Sequence, residues 1–199
     1  MNRIFPHDSY YRSFSTPLGA MIIVWGMEGK TPRVLRLLLS QPDRPAARRL
    51  ESSYPAVVQP DSTTRIDQLV RRIKQYAEGW KVRFSLEDLY WPQCTDFQIR
   101  VLQMESRVPR GRVTSYRQIA RGLGKPGAAR GVGQALARNP FPIIIPCHRC
   151  VRSDGSLGGF QGGEAMKARL LQMEGVVLDR KGRVAGGVMT HGFQKGKRS

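Results

Sequence analysis

A two-domain chain of the α+β class follows from three features of the 199-residue sequence. Runs rich in β-formers crowd the first forty residues, helical capping signals and apolar spacing dominate after residue 93, and the block AEGWKVRFSLEDLYWPQC separates the two patterns. Domains are expected over 1–88 and 93–178, followed by a glycine-rich basic tail over 179–199 that is expected to be disordered. A hydrophobic content of 40% suffices to bury an ordinary core.

In the first half, YYRSFS and AMIIVW flank TPLG and predict a hairpin, and VLRLLL from Val34 to Leu39 predicts a further strand. From Pro42 to Pro60 the residues show no clear periodicity. Ile66, Leu69, Val70, Ile73 and Tyr76 then recur at helical spacing and predict an amphipathic helix over roughly residues 63 to 77.

The second half opens with TDFQ, where Thr95 and Gln98 stand at capping-box spacing ahead of Phe97, Val101, Leu102 and Met104; Pro109 ends that helix. SYRQ repeats the device with Ser115 and Gln118, opening YRQIARGLG, which Gly122 and Gly124 terminate. After the turn KPG, AARGVGQALARN predicts a second helix closed by Asn139 and Pro140. Two short helices joined by a glycine-containing turn have the sequence shape of a helix-turn-helix. Last comes EAMKARLLQMEG, with Met166, Leu170 and Met173 near one face and Gly175 as its stop.

No run of about eighteen apolar residues exists, and MNRIFPHDSYY lacks an apolar signal core, so an intracellular protein without a membrane span is expected. Three cysteines, two of them three positions apart, make no disulfide framework. The 33 Lys plus Arg against 15 Asp plus Glu give a formal charge of +18, which points to a polyanionic partner, nucleic acid first. The excess is local: between Ser106 and Ser153 there is no acid, only Arg107, Arg110, Arg112, Arg117, Arg121, Lys125, Arg130, Arg138, Arg149 and Arg152. Arginine suits bidentate phosphate contacts, and this stripe coincides with the helix pair.

The second helix of the pair has Ala129, Gly131, Gly133, Ala135 and Ala137 where a major-groove reader would present long polar side chains. Each interior glycine costs roughly 1 kcal/mol against alanine, so two of them ask for a reason. Close approach to a narrow minor groove is one; packing against a neighbouring helix is the other.

IIIPCHRCV sets Cys147, His148 and Cys150 together. A zinc site needs further ligands, and only Cys94, His7 and His191 remain; a redox CxxC should open a helix, whereas the adjoining VRSDGSLGG is turn-rich. Packing alone explains Cys150 but leaves Cys147 beside His148 without a role. A cysteine nucleophile with its base, as in a hydrolase, and a DNA-binding regulator without chemistry remain as further readings.

SYRQIA, AARGVGQALARNP, IPCHR and LLQMEG, in this order and spacing, resemble the O6-alkylguanine-DNA alkyltransferases, which remove alkyl groups from guanine in DNA. The likeness is clear over about residues 93 to 175 and loose before them. It implies a ribonuclease H-like N-terminal domain and a winged-helix-like C-terminal one. It also implies a single-use transferase acting on double-stranded DNA as a monomer, without cofactor or metal, in the cytoplasm with the nucleoid or in a nucleus. By the same resemblance Cys147 is the alkyl acceptor, His148 its base through a bridging water, and Glu174 the carboxylate that orients His148. A thiol with an ordinary pKa near 8.5 is mostly protonated at neutral pH, so a carboxylate-backed histidine is a means of making thiolate.

Tyr116 corresponds to the tyrosine that serves the guanine ring as O6 leaves, Asn139 to the hinge onto the active-site strand, and Arg130 to the arginine that fills the gap of an everted nucleotide. DNA contacts are further implied for Ser115, Arg117, Ala129 and Gly133, and pocket contacts for Pro142, Cys150, Ser153, Phe160 and Gln161, with the glycines of GGFQGG allowing a tight loop. The chain departs from the pattern at Cys150, where many members carry valine, and at Phe160 and Gln161, which bear on pocket size; the second thiol raises the chance of oxidative side chemistry.

Overall fold

The computed structural model describes residues 9–55, 57–58 and 63–185; His7, His191 and the tail beyond 185 lie outside these. The chain divides into two compact units, one reaching Cys94 and including Pro140–Ile144, the other comprising Thr95–Asn139 and the residues from Ile145 onward.

In the first unit, β1 (Ser9–Thr16), β2 (Gly19–Glu28) and β3 (Thr31–Leu39) form an antiparallel sheet in the order β1-β2-β3. The tight turn between β1 and β2 needs φ +108° at Gly19, a value that favours glycine. Alternation along the strands buries one face against α1 (Ala46–Ser53): Ile22, Val24, Leu35 and Leu38 meet Ala46, Leu50 and Tyr54. This helix falls in the stretch without visible periodicity. It is two turns long and buries only Ala46 and Leu50, too few positions to repeat a pattern. The helix predicted over roughly residues 63 to 77 is α2 (Thr64–Ala77), capped by the Thr63 hydroxyl on the Ile66 amide; it buries the five residues expected, and its Asp67 pairs with Arg12 of β1.

Pro140–Ile144 adds to this unit through the Leu37 amide, which donates to Pro140 O at 2.9 Å, and through Phe141, fully buried with its ring 5.7 Å from Trp91. The segment before Cys147 is therefore not the active-site strand that the resemblance implied. Ile143 sits at φ +71°, a backbone state that breaks an extended run and is an outlier for a β-branched residue.

The second unit holds α3 (Asp96–Glu105), α4 (Tyr116–Gly122), α5 (Ala129–Ala137) and α6 (Gly163–Met173), with a two-residue parallel pairing of β4 (Thr114–Ser115) and β5 (Cys150–Val151). Both predicted N-caps form, but only one is a full capping box. Ser115 accepts from the Gln118 amide while Gln118 Oε1 accepts from the Ser115 amide at 2.8 Å. Thr95 accepts from the Gln98 amide, whereas the Gln98 side chain donates instead to the carbonyls of Ala135 and Arg138, fastening α3 to the end of α5.

Two further expectations change. The buried face of α6 carries Lys167, Leu170 and Leu171, while Met166 and Met173 are only half-buried, because Lys167 is drawn inward by carbonyl partners. The start of the expected disordered tail is ordered: Asp179 Oδ1 accepts from the amides of Lys181 and Arg183, and Val184 packs with Val113, Val151 and Leu171.

Ser115→Ala removes the hydroxyl half of the α4 cap and should cost about 1 kcal/mol. The expected outcome is a lower urea midpoint followed by helical circular dichroism, with no change in the native spectrum.

Candidate active site

Cys147 begins a single 3-10 turn, Cys147–Arg149, whose C-cap is Cys150. The thiol is 7% exposed. Asn139, just past the end of α5, donates from Nδ2 to Cys147 Sγ at 3.1 Å and to Ile145 O at 3.2 Å, tying the end of α5 to the turn that carries Cys147. The thiol faces a cavity of about 330 Å³ that is also lined by Tyr116, Gly133, Leu136, Ala137, Asn139, Gly159, Phe160 and Gln161. That volume is in the range of small-ligand pockets.

Behind the turn stands a buried charge network. His148 Nε2 lies 3.2 Å from Glu174 Oε1, and Arg149 grips the same carboxylate in a fork, Nε to Oε2 at 2.8 Å and Nη2 to Oε1 at 2.7 Å. Arg149 Nη1 also donates to Val108 O at 2.6 Å. Burial alone would raise the Glu174 carboxyl, but hydrogen bonds from His148 and Arg149 outweigh it and hold the group well below the usual carboxylate range. Burial lowers the pKa of His148 despite Glu174, so its imidazole is neutral at rest.

Burial also pushes the Cys147 thiol up to about 11, against the opposing hydrogen bond from Asn139. Desolvation therefore leaves the resting pair as a thiol and a neutral imidazole. Ionisation belongs to the reacting complex, where the Glu174 carboxylate would stabilise an imidazolium.

Tyr116 is the first residue of α4, and burial, then the neighbouring Cys150 and Cys147, push its hydroxyl up to about 12, leaving a firm hydrogen-bond donor. Gly158 has φ +70°, and a Cβ there would stand 3.0 Å from the Tyr116 hydroxyl, so glycine allows the 152–163 loop to come this close. Phe160 from that loop lies edge-on to His148 at 6.1 Å.

Arg130 is the second residue of α5 and exposed, as is Arg117 on α4; Ala129 and Gly133 are half-buried. A Cβ on Gly131 would meet Phe97 at 3.5 Å and one on Gly133 would meet Tyr116 at 3.8 Å, both ordinary contacts. Packing inside the protein therefore does not demand these glycines. Ser115 is buried and committed to its cap. Arg149 leaves the expected phosphate-binding stripe, since it is bound to Glu174, and Arg110 donates to Met173 O at 2.8 Å. Of the expected pocket residues, Phe160 and Gln161 line the cavity; Cys150 is fully buried, Ser153 is exposed on a turn, and Pro142 belongs to the first unit.

Two site residues escaped the sequence reading. Lys167 is completely buried and its Nζ donates to Cys150 O at 2.6 Å and to Leu157 O. Glu105 of α3 is equally buried, and neither carboxyl oxygen has a hydrogen-bond partner among the described residues. Burial, opposed by Lys167 and Arg149, pushes it up to about 8, so it is mainly a neutral acid at pH 7. Nothing in QMES or AMKA marks either residue as interior.

A cysteine at the edge of a cavity, joined through an asparagine to the end of α5 and backed by a His–Glu–Arg network, defines a cysteine-based reaction site. Residues 96–176 match the family described as the DNA-binding domain of 6-O-methylguanine DNA methyltransferase. A methylated-DNA–protein-cysteine methyltransferase from Methanothermobacter thermautotrophicus is 39% identical over 163 residues, spanning 82% of this chain and 84% of the relative. The constitutive one of Bacillus subtilis is 33% identical over 174 residues, spanning 87% and 99%. The crystal structure of Mycobacterium tuberculosis OGT in complex with DNA superposes with a TM-score of 0.65 at 33% identity, covering 83% of this chain and 92% of that one. The chain belongs to the methylated-DNA–protein-cysteine methyltransferase family.

Glu105 gives a pH-dependent outcome. Its folded-state value near 8 lies above the ordinary value of 4.5, so the folded protein holds a proton that the unfolded chain releases. The wild type should lose stability relative to Glu105→Leu as pH rises from 4.5 to 8, and no further above that. Urea unfolding of both proteins across that window checks it; a constant difference would contradict the assignment.

Proposed function

We propose that this protein repairs DNA by direct reversal, moving the alkyl group of O6-alkylguanine irreversibly onto Cys147. The observation that carries this reading is a thiol opening onto a cavity beside a helix-turn-helix, with a buried histidine and carboxylate behind it. In this reading the C-terminal domain, residues 93–178, does both the DNA binding and the chemistry as a winged-helix-like module, and the N-terminal domain, 1–88, is a ribonuclease H-like support. Among the described residues no helix is long and apolar enough to cross a membrane.

An O6-alkyl group in a stacked base cannot reach a thiol that is 7% exposed, so the nucleotide must be everted, at a cost of a few kcal/mol. The small residues of α5 let its backbone approach the minor groove, and the exposed Arg130 fills the vacated stack. Exposed arginines such as Arg117 supply sequence-independent phosphate attraction that weakens with salt.

With the base in the cavity, His148 accepts the Cys147 proton through a water, and Glu174 stabilises the imidazolium formed. The sulfur attacks the alkyl carbon in line, the carbon–oxygen bond breaks, and the Tyr116 hydroxyl supports the guanine ring as negative charge leaves through O6. The products are a thioether and guanine. A thioether has no comparable leaving group, so each molecule acts once. The damaged base is itself the alkyl donor, and no cofactor enters the balance.

Incubation with a duplex containing O6-methylguanine should add one methyl group per protein, mapped to Cys147 by peptide mass spectrometry and missing in Cys147→Ala. A methyl on Cys94 or Cys150 would refute the assignment. Arg130→Ala should transfer more slowly from duplex DNA yet react almost normally with the free alkylguanine base; equal loss on both substrates would remove the stack-filling role.

A further inference from the structure

Alkyl transfer uses one thiol of the Cys147–Cys150 pair, and the second is too well placed to be idle packing. Cys147 opens the 3-10 turn and Cys150 closes it, its amide donating to Cys147 O. One such turn rises about 2.0 Å per residue, so the two Cα atoms stand roughly 6 Å apart. Disulfides need Cα separations of about 4.4–6.8 Å. The third cysteine, Cys94, lies in the other unit.

The surroundings favour chemistry at this pair. Cys147 borders the cavity and is reachable by a small oxidant, whereas Cys150 is fully buried and shielded from direct attack. The Lys167 Nζ donates to Cys150 O at 2.6 Å, and its charge favours negative charge on either sulfur. Glu105 is completely buried on α3, the helix that contacts this turn. A completely buried lysine and a completely buried carboxyl beside two thiols are unexplained by the transfer reaction, in which His148 and Glu174 already handle the proton.

We propose that Cys150 is a resolving cysteine: a hydroperoxide oxidises Cys147, and Cys150 closes a reversible Cys147–Cys150 disulfide that shelters the once-only alkyl acceptor from irreversible oxidation. In the first step the Cys147 sulfur attacks one peroxide oxygen; the oxygen–oxygen bond breaks, the thiol becomes a sulfenic acid, and water or an alcohol leaves carrying the thiol proton. In the second, the Cys150 sulfur attacks the Cys147 sulfur; the sulfur–oxygen bond breaks, the sulfur–sulfur bond forms, and hydroxide leaves as water with the Cys150 proton. Two electrons pass from the two thiols to the peroxide, and a dithiol reductant returns them. The benefit to repair rests on Cys147 being the alkyl acceptor; the disulfide itself does not.

The test treats the reduced full-length protein with hydrogen peroxide, blocks free thiols, and records intact mass and peptide maps before and after dithiothreitol. Wild type should lose the mass of two hydrogens, with Cys147 and Cys150 linked and Cys94 free. It should accept no methyl from an O6-methylguanine duplex while oxidised and regain its untreated capacity after reduction. Cys150→Ala and Cys150→Ser should instead gain oxygen on Cys147 as sulfinic or sulfonic acid, with dithiothreitol failing to restore each variant's own untreated capacity. Cys94→Ala should behave as wild type. Sulfinic acid on wild-type Cys147 without the two-hydrogen loss, a linkage through Cys94, or full recovery of both Cys150 variants would each overturn the proposal. Failure of alkyl transfer in the untreated wild type would instead sink the repair reading and leave the disulfide result standing.

Discussion

The Glu174 carboxylate is the fastening point of the C-terminal unit. It lies one residue beyond α6 and accepts hydrogen bonds from two consecutive residues of the turn that carries Cys147. A carboxylate buried this deeply is tolerable only because a forked guanidinium and an imidazole satisfy it. The same contacts hold His148 and anchor the turn to α6, so the positions of Cys147 and His148 both depend on this one carboxylate. Asn139 does the corresponding work from the opposite side, joining the end of α5 to the sulfur and to the Ile145 carbonyl.

Burial dominates the electrostatics of the site. It keeps Cys147 and Tyr116 protonated, leaves His148 neutral, and makes Glu105 a neutral acid, while Glu174 alone is held charged by its partners. Cys147 is thus held as a thiol at rest. Lys167 adds a second kind of order, clamping the β5 carbonyl of Cys150 to Leu157 in the loop whose later residues form a cavity wall.

Local signals were legible wherever a short stretch specifies its own geometry. Ser115 and Gln118 form the capping box that their spacing announced, Thr63 and the periodic residues after it make α2, and the hairpin and third strand stand where β-formers cluster. At 95–98 the same code was only half right, since Gln98 found better acceptors at the end of α5 than at its own N-cap. Helix α1 was invisible because two buried residues make no period, and the 179–185 turn was hidden by a composition that suggests disorder.

The sequence by itself determined the three-stranded start, the capped and periodic helices, the arginine excess and the adjacency of Cys147 and His148, because caps, periodicity and a compact motif are encoded over a few neighbouring residues, whereas Glu174 was picked out only by the family resemblance. Only the tertiary structure decided that Arg149 serves Glu174 and not phosphate, that Lys167 and Glu105 turn inward, and that the resting thiol is protonated. Those outcomes depend on which carbonyls, charges and apolar walls converge from distant parts of the chain, and desolvation has no local signature in an amino-acid string.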